Sequence, residues 1–366
     1  MKLPLAPVGK LKYLSLSALI IVLILSKITC RDNGKKDPII GIKLYQSIQL
    51  NDSLYWQWEE LGINTVFSSH TSITDKELIP DLRRHGMRIF IIVPIYFDAE
   101  LLAQDPSYYS IRGNDRRAWE DWVAFVSPFH EGYRRQKIKL IRDLVRQYQP
   151  DGISLDFLRF FVFWERIRPG DTLKIEEYSC FTPSAIENFE SWLGQKIPIP
   201  PDSIRQLSAY IALNHSQAWQ DWKCHTIAVM TEQIVDAAKK VKTDLLINYH
   251  IIPWRRDEYN SAIMAIAGQD IRQISPFVDF FSPMCYVDIL ERSPLWIDSL
   301  LEDMAQNTSK PIIPNIEALD DSRFDETLRR SLASPSSSVI LWYWEKLIQS
   351  SNAQSTLKKY RNLIRK

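Results

Sequence analysis

Glycine is scarce in this chain: there are 11 among 366 residues, and beyond Gly194 only Gly268 remains. Phosphate-handling barrels use glycine-rich backbone in the loops after their last two strands, so this scarcity argues against that class. Histidine is also sparse, six in all, with no H-x-H or H-E-x-x-H pair. The clustered imidazole ligands of a metal-dependent hydrolase are missing, and neither a metal nor a cofactor is expected. The four cysteines, Cys30, Cys180, Cys224 and Cys285, show no C-x-x-C or Cys/His spacing, which argues against a structural zinc site. One disulfide among the last three and buried free thiols are both open readings. Charge of either sign is not in excess: 45 Lys and Arg meet 44 Asp and Glu for a net +1. Without a basic stripe interleaved with aromatics, nucleic acid is not an expected partner.

Long apolar runs are absent after the first thirty residues. The single such run, Leu14 to Leu25, follows Lys2, Lys10 and Lys12 and precedes Ser26, Lys27, Ile28, Thr29 and Cys30. A basic segment leading into about 7 to 15 apolar residues is the pattern of a secretory signal, and the run is short for a membrane span of about 20. Residues 1–30 therefore read as a signal peptide or membrane anchor, 31–38 as a polar linker, and 39–366 as the folded domain. Three outcomes stay open for the N-terminus: lipidation at Cys30, cleavage to a soluble protein, or an uncleaved anchor. Each places the mature protein outside the cytoplasm, in the periplasm, the extracellular space or on the membrane; oligomeric state is not legible.

With 45% hydrophobic and 24% charged residues, the remainder has an ordinary globular balance, and a chain of this length buries roughly three quarters of its unfolded surface. From Ile39 onward, short apolar runs alternate with longer stretches of helical periodicity. The runs are Ile39 to Tyr45, Asn64 to Ser68, Arg88 to Phe97, Gly152 to Phe157, Leu245 to His250, Phe277 to Met284, Pro311 to Glu317 and Val339 to Trp344. Near-continuous apolar runs suit parallel strands covered on both faces. Eight of them separated by helices predict an α/β fold, a single (β/α)₈ TIM barrel. Two connections exceed what a plain barrel needs, after the third strand (about Asp98 to Gly132) and after the fourth (Glu165 to Gln206). Both leave strand C-terminal ends, the face on which barrel enzymes build their sites.

The strongest local signal is Asp151-Gly-Ile-Ser-Leu-Asp156-Phe-Leu-Arg159-Phe. Alternation along a strand sends Ile153 and Leu155 one way, Ser154 and Asp156 the other, so Asp156 stands at the barrel mouth with Arg159 just beyond. This segment, with Phe125-Val-Ser-Pro-Phe-His ahead of it, resembles the "P-x-x-P, helix, D-G-I-H-L-D-Y-I-R-Y" stretch of glycosyl-hydrolase-like family ten. Phe181-Thr-Pro-Ser-Ala-Ile-Glu-Asn-Phe, Trp219-Gln-Asp-Trp222-Lys, Gly268-Gln-Asp and Val278-Asp-Phe-Phe-Ser-Pro-Met284-Cys-Tyr286 resemble further blocks in the same order, over roughly residues 120 to 290. The resemblance implies a barrel-fold glycoside hydrolase of a bacterial envelope. Asp156, Arg159, Met284 and Tyr286 match its motif positions; Ser154 stands where His is usual. The strand is also similar to the chitinase pattern D-G-x-D-x-D-x-E, but Ser154 and Leu158 replace an Asp and the catalytic Glu, which argues against a chitinase-type mechanism.

Glycoside hydrolysis needs two carboxyl groups flanking the bond, one holding a proton and one ionised. Glu317 at the end of the seventh run is the expected partner of Asp156, with Asp98, Glu258 and Asp288 as rivals. Sugars present apolar faces and many hydroxyls, so aromatic platforms are expected beside a few polar groups. Tyr45, Trp164, Trp254, Tyr286, Trp342 and Trp344 fall at strand ends, as do His70 and His250. The expected substrate-binding set is Arg159, Tyr45, His250, Trp254, Tyr286, Trp342 and Trp344. The function expected is cleavage of a cell-envelope or extracellular polysaccharide or oligosaccharide; the alternative is an envelope protein that binds glycans without cutting them.

Overall fold

A computed structural model describes residues 38–46, 51–73, 78–174 and 178–364. The N-terminal segment, including Cys30 and the Leu14 to Leu25 run, lies outside the described residues. The compact unit that carries the fold runs from Ile39 to Lys366.

Its eight parallel strands are β1 (Ile40–Leu44), β2 (Thr65–Ser69), β3 (Arg88–Pro94), β4 (Gly152–Asp156), β5 (Leu246–Ile251), β6 (Phe280–Cys285), β7 (Asn315–Ile316) and β8 (Val339–Leu341). They pair in sequence order, and β8 returns to β1 through Ile40 opposite Val339 to close the barrel. Each of the eight apolar runs in the sequence supplies one strand, and the (β/α)₈ barrel is the fold. Most strands are shorter than their runs, above all β7, where two prolines, Pro311 and Pro314, lack the N–H a ladder needs.

Alternation then sorts the side chains. Ile153 and Leu155 join the outer core between strands and helices. A separate cluster, Ile39, Phe67, Phe90, Ile92, Phe280, Ile313 and Ile340, fills the barrel interior, with Phe67 stacked on Phe90 at 4.9 Å and Phe280 edge-on to Phe90. Glycine makes room for these rings: a Cβ on Gly41 would come within 2.6 Å of Phe67, and one on Gly152 within 2.1 Å of Phe90. Above the rings the interior turns polar. Ser154 Oγ meets His250 Nε2 at 2.8 Å and accepts from Asn248 Nδ2 at 2.6 Å, while Ser282 Oγ donates to Asn248 Oδ1 at 2.9 Å.

The two long connections lie over the C-terminal ends of the strands. The one after β3 carries a small hairpin, Trp119–Glu120 paired with Val123–Ala124. The one after β4 carries a short turn of helix at Trp164–Arg166 and the helix Pro183–Leu193, which begins on Pro183 and is capped by Gly194 at φ 73°. After the helix Ile204–Asn214, the helix Ser216–Lys239 buries Lys223, whose ammonium donates to the carbonyls of Ser179, Ala265 and Ile266. One lysine thus ties the loop after β4 to the loop after β5. Cys180, Cys224 and Cys285 are buried free thiols, and no described helix is long and apolar enough to cross a membrane.

Candidate active site

A cavity of about 720 Å³ opens at the C-terminal mouth of the barrel. Asp156 ends β4 and lines it. Immediately after, Phe157 takes a left-handed conformation, φ 50°, which a bulky side chain rarely adopts. This turn lets the Phe157 N–H donate to Asp156 Oδ1 at 2.8 Å, fixing the carboxylate. The chain then runs along the cavity wall. Tyr249 donates from its hydroxyl to the Leu158 carbonyl, and the Phe160 N–H bonds the Ala267 carbonyl at 2.9 Å. Close packing needs Gly268, at φ 70°, where a Cβ would press within 3.0 Å of both Phe160 and the Lys223 carbonyl.

Arg159 lines the cavity yet is 1% exposed. Its Nη1 donates to the carbonyls of Phe160 and Val162 at 3.2 and 2.8 Å, and its guanidinium lies over the rings of Phe125 and Phe157. No ion pair with Asp156 forms within 4 Å among the described residues. Burial pulls the Arg159 pKa down to about 10, against the opposing fields of Glu165 and Asp156. Lys43, the inward residue near the end of β1, is likewise 1% exposed. Burial lowers it to about 8, with Asp156 holding it up.

The residue that sequence reasoning passed over is Glu165. It sits in the turn Trp164–Arg166 and lines the same cavity as Asp156. Its Oε2 is buried without a hydrogen-bond partner. Burial raises its pKa to about 7, Arg159 opposes the rise, and the charge of Asp156 adds to it. The turn is pinned from outside: Arg166 bridges to Glu120 and Asp121 in the hairpin, and Arg168 bridges to Glu291 and donates to the Glu165 carbonyl.

Glu317 lies elsewhere. It is 1% exposed and absent from the cavity wall, with Oε2 accepting from the backbone N–H of Asp288 at 2.9 Å and of Ile289 at 3.4 Å. Burial raises its pKa too; the carboxylates that line the cavity are Asp156 and Glu165. The three rivals are otherwise engaged: Asp98 caps a helix and bridges Lys137 at 3.2 Å, Glu258 bridges Arg292, and Asp288 bridges Arg323 at 2.8 Å.

Aromatic residues make two walls. On one, Trp342 stacks on Tyr286 at 4.7 Å and Tyr286 leans on Trp164 at 6.0 Å, with Tyr45 and Tyr343 at the rim. On the other, Phe97 stacks on Phe157 and Trp122 stands edge-on to Phe97, Phe157 and Phe163. Tyr45, Trp164, Tyr286 and Trp342 were legible as strand-end aromatics; Phe97, Trp122, Phe163 and Tyr343 were not singled out. Three expected binders are not in the wall. Trp254, 3% exposed, packs edge-on to Tyr259 and faces Asp303 and Met304 of the helix Trp296–Asn307. Trp344 starts a helix and packs against Trp58. His250 points into the barrel interior, where burial drives its pKa well down. His70 does line the cavity, with Nδ1 buried and unpartnered.

No family model matches the chain, and no curated protein does. Solved structures do match. The glycoside hydrolase domain of PgaB (BpsB) from Bordetella bronchiseptica superposes with a TM-score of 0.61 at 16% identity, covering 88% of this chain and 98% of that one. The β-galactosidase from the psychrophilic Marinomonas ef1 gives 0.64 at 9% identity, covering 89% of this chain and 59% of its own length. α-L-Fucosidase isoenzyme 2 from Paenibacillus thiaminolyticus gives 0.56 at 13% identity, over 90% and 49%. The likeness to these structures supports the (β/α)₈ barrel fold. The chain thus spans the full PgaB domain but only about half to three fifths of the two larger enzymes, and at these identities the likeness is one of fold.

Proposed function

We propose that this protein is a glycoside hydrolase whose carboxylate pair is Asp156 and Glu165. The carrying observation is that both line one aromatic-walled cavity at the barrel mouth while burial lifts Glu165 to about 7. A carboxyl group with its pKa near the working pH can hold a proton for the leaving oxygen and take it back later. Asp156, beside the positive charges of Lys43 and Arg159, takes the second role, as nucleophile or base. In the first step Glu165 donates its proton to the glycosidic oxygen as the bond to the anomeric carbon breaks. Asp156 then either bonds to that carbon or takes a proton from an attacking water. A carboxyl separation of about 5 to 5.5 Å during turnover goes with the first course and retention, about 6.5 to 9.5 Å with the second and inversion.

The walls account for sugar binding. The stacked Trp342 and Tyr286 offer faces to ring C–H groups, and the unpartnered atoms His70 Nδ1, Arg159 Nη2 and Glu165 Oε2 are available for hydroxyls. The resemblance of several sequence blocks to glycosyl-hydrolase-like family ten, in a chain that no family model matches, is the ground for reading an envelope or extracellular polysaccharide as substrate. The Lys-flanked segment Leu14 to Leu25 supports export, by a cleaved signal, lipidation at Cys30 or a retained anchor.

The test is release of new reducing ends from a panel of bacterial envelope and extracellular polysaccharides by the full chain, beside Asp156→Asn. Release by the native chain and none by the variant is expected. Binding of a glycan without release by either would make the protein a glycan-binding module instead.

A further inference from the structure

Four cations are buried among the described residues: Lys43, Lys137, Arg159 and Lys223. Two have protein partners. Lys137 bridges Asp98 at 3.2 Å, and Lys223 donates to three carbonyls. The other two line the cavity. Arg159 Nη2 is buried with no acceptor, although Nη1 of the same guanidinium has two. Lys43 has no hydrogen-bond acceptor and no ion pair among the described residues; its ammonium stands 6.0 Å from the centre of the Tyr45 ring. The two further cavity cations, Arg166 and Arg168, differ in kind. They are bridged to Glu120, Asp121 and Glu291, acids that are not part of the wall.

A buried charge costs several kcal/mol in lost hydration unless something replaces the water, typically an opposite charge with hydrogen bonds. Asp156 lies near both cations but spends Oδ1 on the Phe157 N–H and bridges neither within 4 Å. Neutral sugar hydroxyls could accept from Lys43 and Arg159, but two incompletely satisfied cations in one cavity match a ligand that brings its own negative charge. Arginine supplies a planar fork for carboxylate, sulfate or phosphate oxygens, and lysine a point charge.

We propose that the cavity selects glycans carrying an anionic substituent, and that Lys43 and Arg159 are the residues that hold it. This rests on the cavity being a sugar site, and the test separates the two. Binding to the full chain is measured calorimetrically for glucose, glucuronate, glucose 6-sulfate and glucose 6-phosphate, then repeated at higher salt and with Lys43→Met. At least one anionic sugar should bind at least ~10-fold more tightly than glucose. That preference should weaken with salt and shrink ~10-fold in the Lys43→Met chain. Which of the three anions gains most identifies the substituent. Arg159→Lys keeps a charge without the fork and should lose part of the preference, whereas Lys43→Arg should keep most of it.

Equal affinity for glucose and all three anions overturns the proposal, as does a preference that survives Lys43→Met unchanged. Hydrolysis of a neutral polysaccharide alongside equal affinities would leave the glycosidase reading standing and this inference refuted. A Lys43-dependent anion preference without hydrolysis of any glycan would do the reverse.

Discussion

Glu165 carries a raised pKa because burial desolvates its carboxyl, with Asp156 adding to the rise and Arg159 restraining it. If it is the proton donor, activity needs its protonated form. Turnover should therefore fall as pH rises through about 7, and kcat/KM profiles should show an alkaline limb there that Glu165→Asp displaces. The same shift bears on stability. The folded-state pKa lies above the ordinary value of 4.5, so the folded protein binds this proton more tightly than the unfolded chain does. The stability that brings is fully present below about 4.5 and lost as pH rises through about 7. Glu165→Gln removes the dependence. Its melting temperature relative to the native protein should climb between pH 4.5 and pH 7.5, and a flat difference across that window in thermal scans would count against a raised pKa. Such a variant would be stabler and inactive, the usual relation when a site is strained for function.

At the level of elements, the barrel was legible because parallel strands covered on both faces must be apolar throughout, and all eight runs gave strands. Asp156, Arg159, Tyr45, Tyr286 and Trp342 were legible for the same reason: the end of a strand defines the mouth. Beyond a strand end, the path of the chain decides where each side chain goes, and that path has no periodicity to read. Trp342 directly follows its strand, whereas Trp254 and Trp344 come three residues after theirs and pack outside the cavity wall. Glu317 comes after β7 at an inward position, but its carboxylate is claimed by backbone N–H groups of the loop after β6. Glu165 comes nine residues after Asp156 in a turn held by Arg166 and Arg168, whose partners are far apart in sequence. The only signal of it in the sequence was the excess length of that connection. Inside the barrel, Gly152 and Phe90 share one volume. Gly152→Ala should destabilise the fold by about 1–3 kcal/mol through overpacking, measurable as a lower urea midpoint with unchanged slope; an unchanged midpoint would show that the ring moves freely.

For the molecule as a whole, both hydrophobic clusters lie between Ile39 and Lys366. A chain starting near Pro38 should unfold in one transition with the midpoint of the full-length protein, read by circular dichroism, and two separated transitions would contradict a single barrel domain. The same core holds the site: Lys223 joins the loops after β4 and β5, and Phe157, Gly268 and Tyr249 set the wall on which Arg159 and Glu165 are carried. The most direct test of the carboxylate pair is therefore the turnover of Glu165→Gln on whichever polysaccharide the native chain cleaves. The amide keeps the shape of the side chain and removes the proton, so kcat should fall at least ~10²-fold with little change in substrate affinity. A variant that cleaves at the native rate would contradict the assignment of Glu165 as the acid.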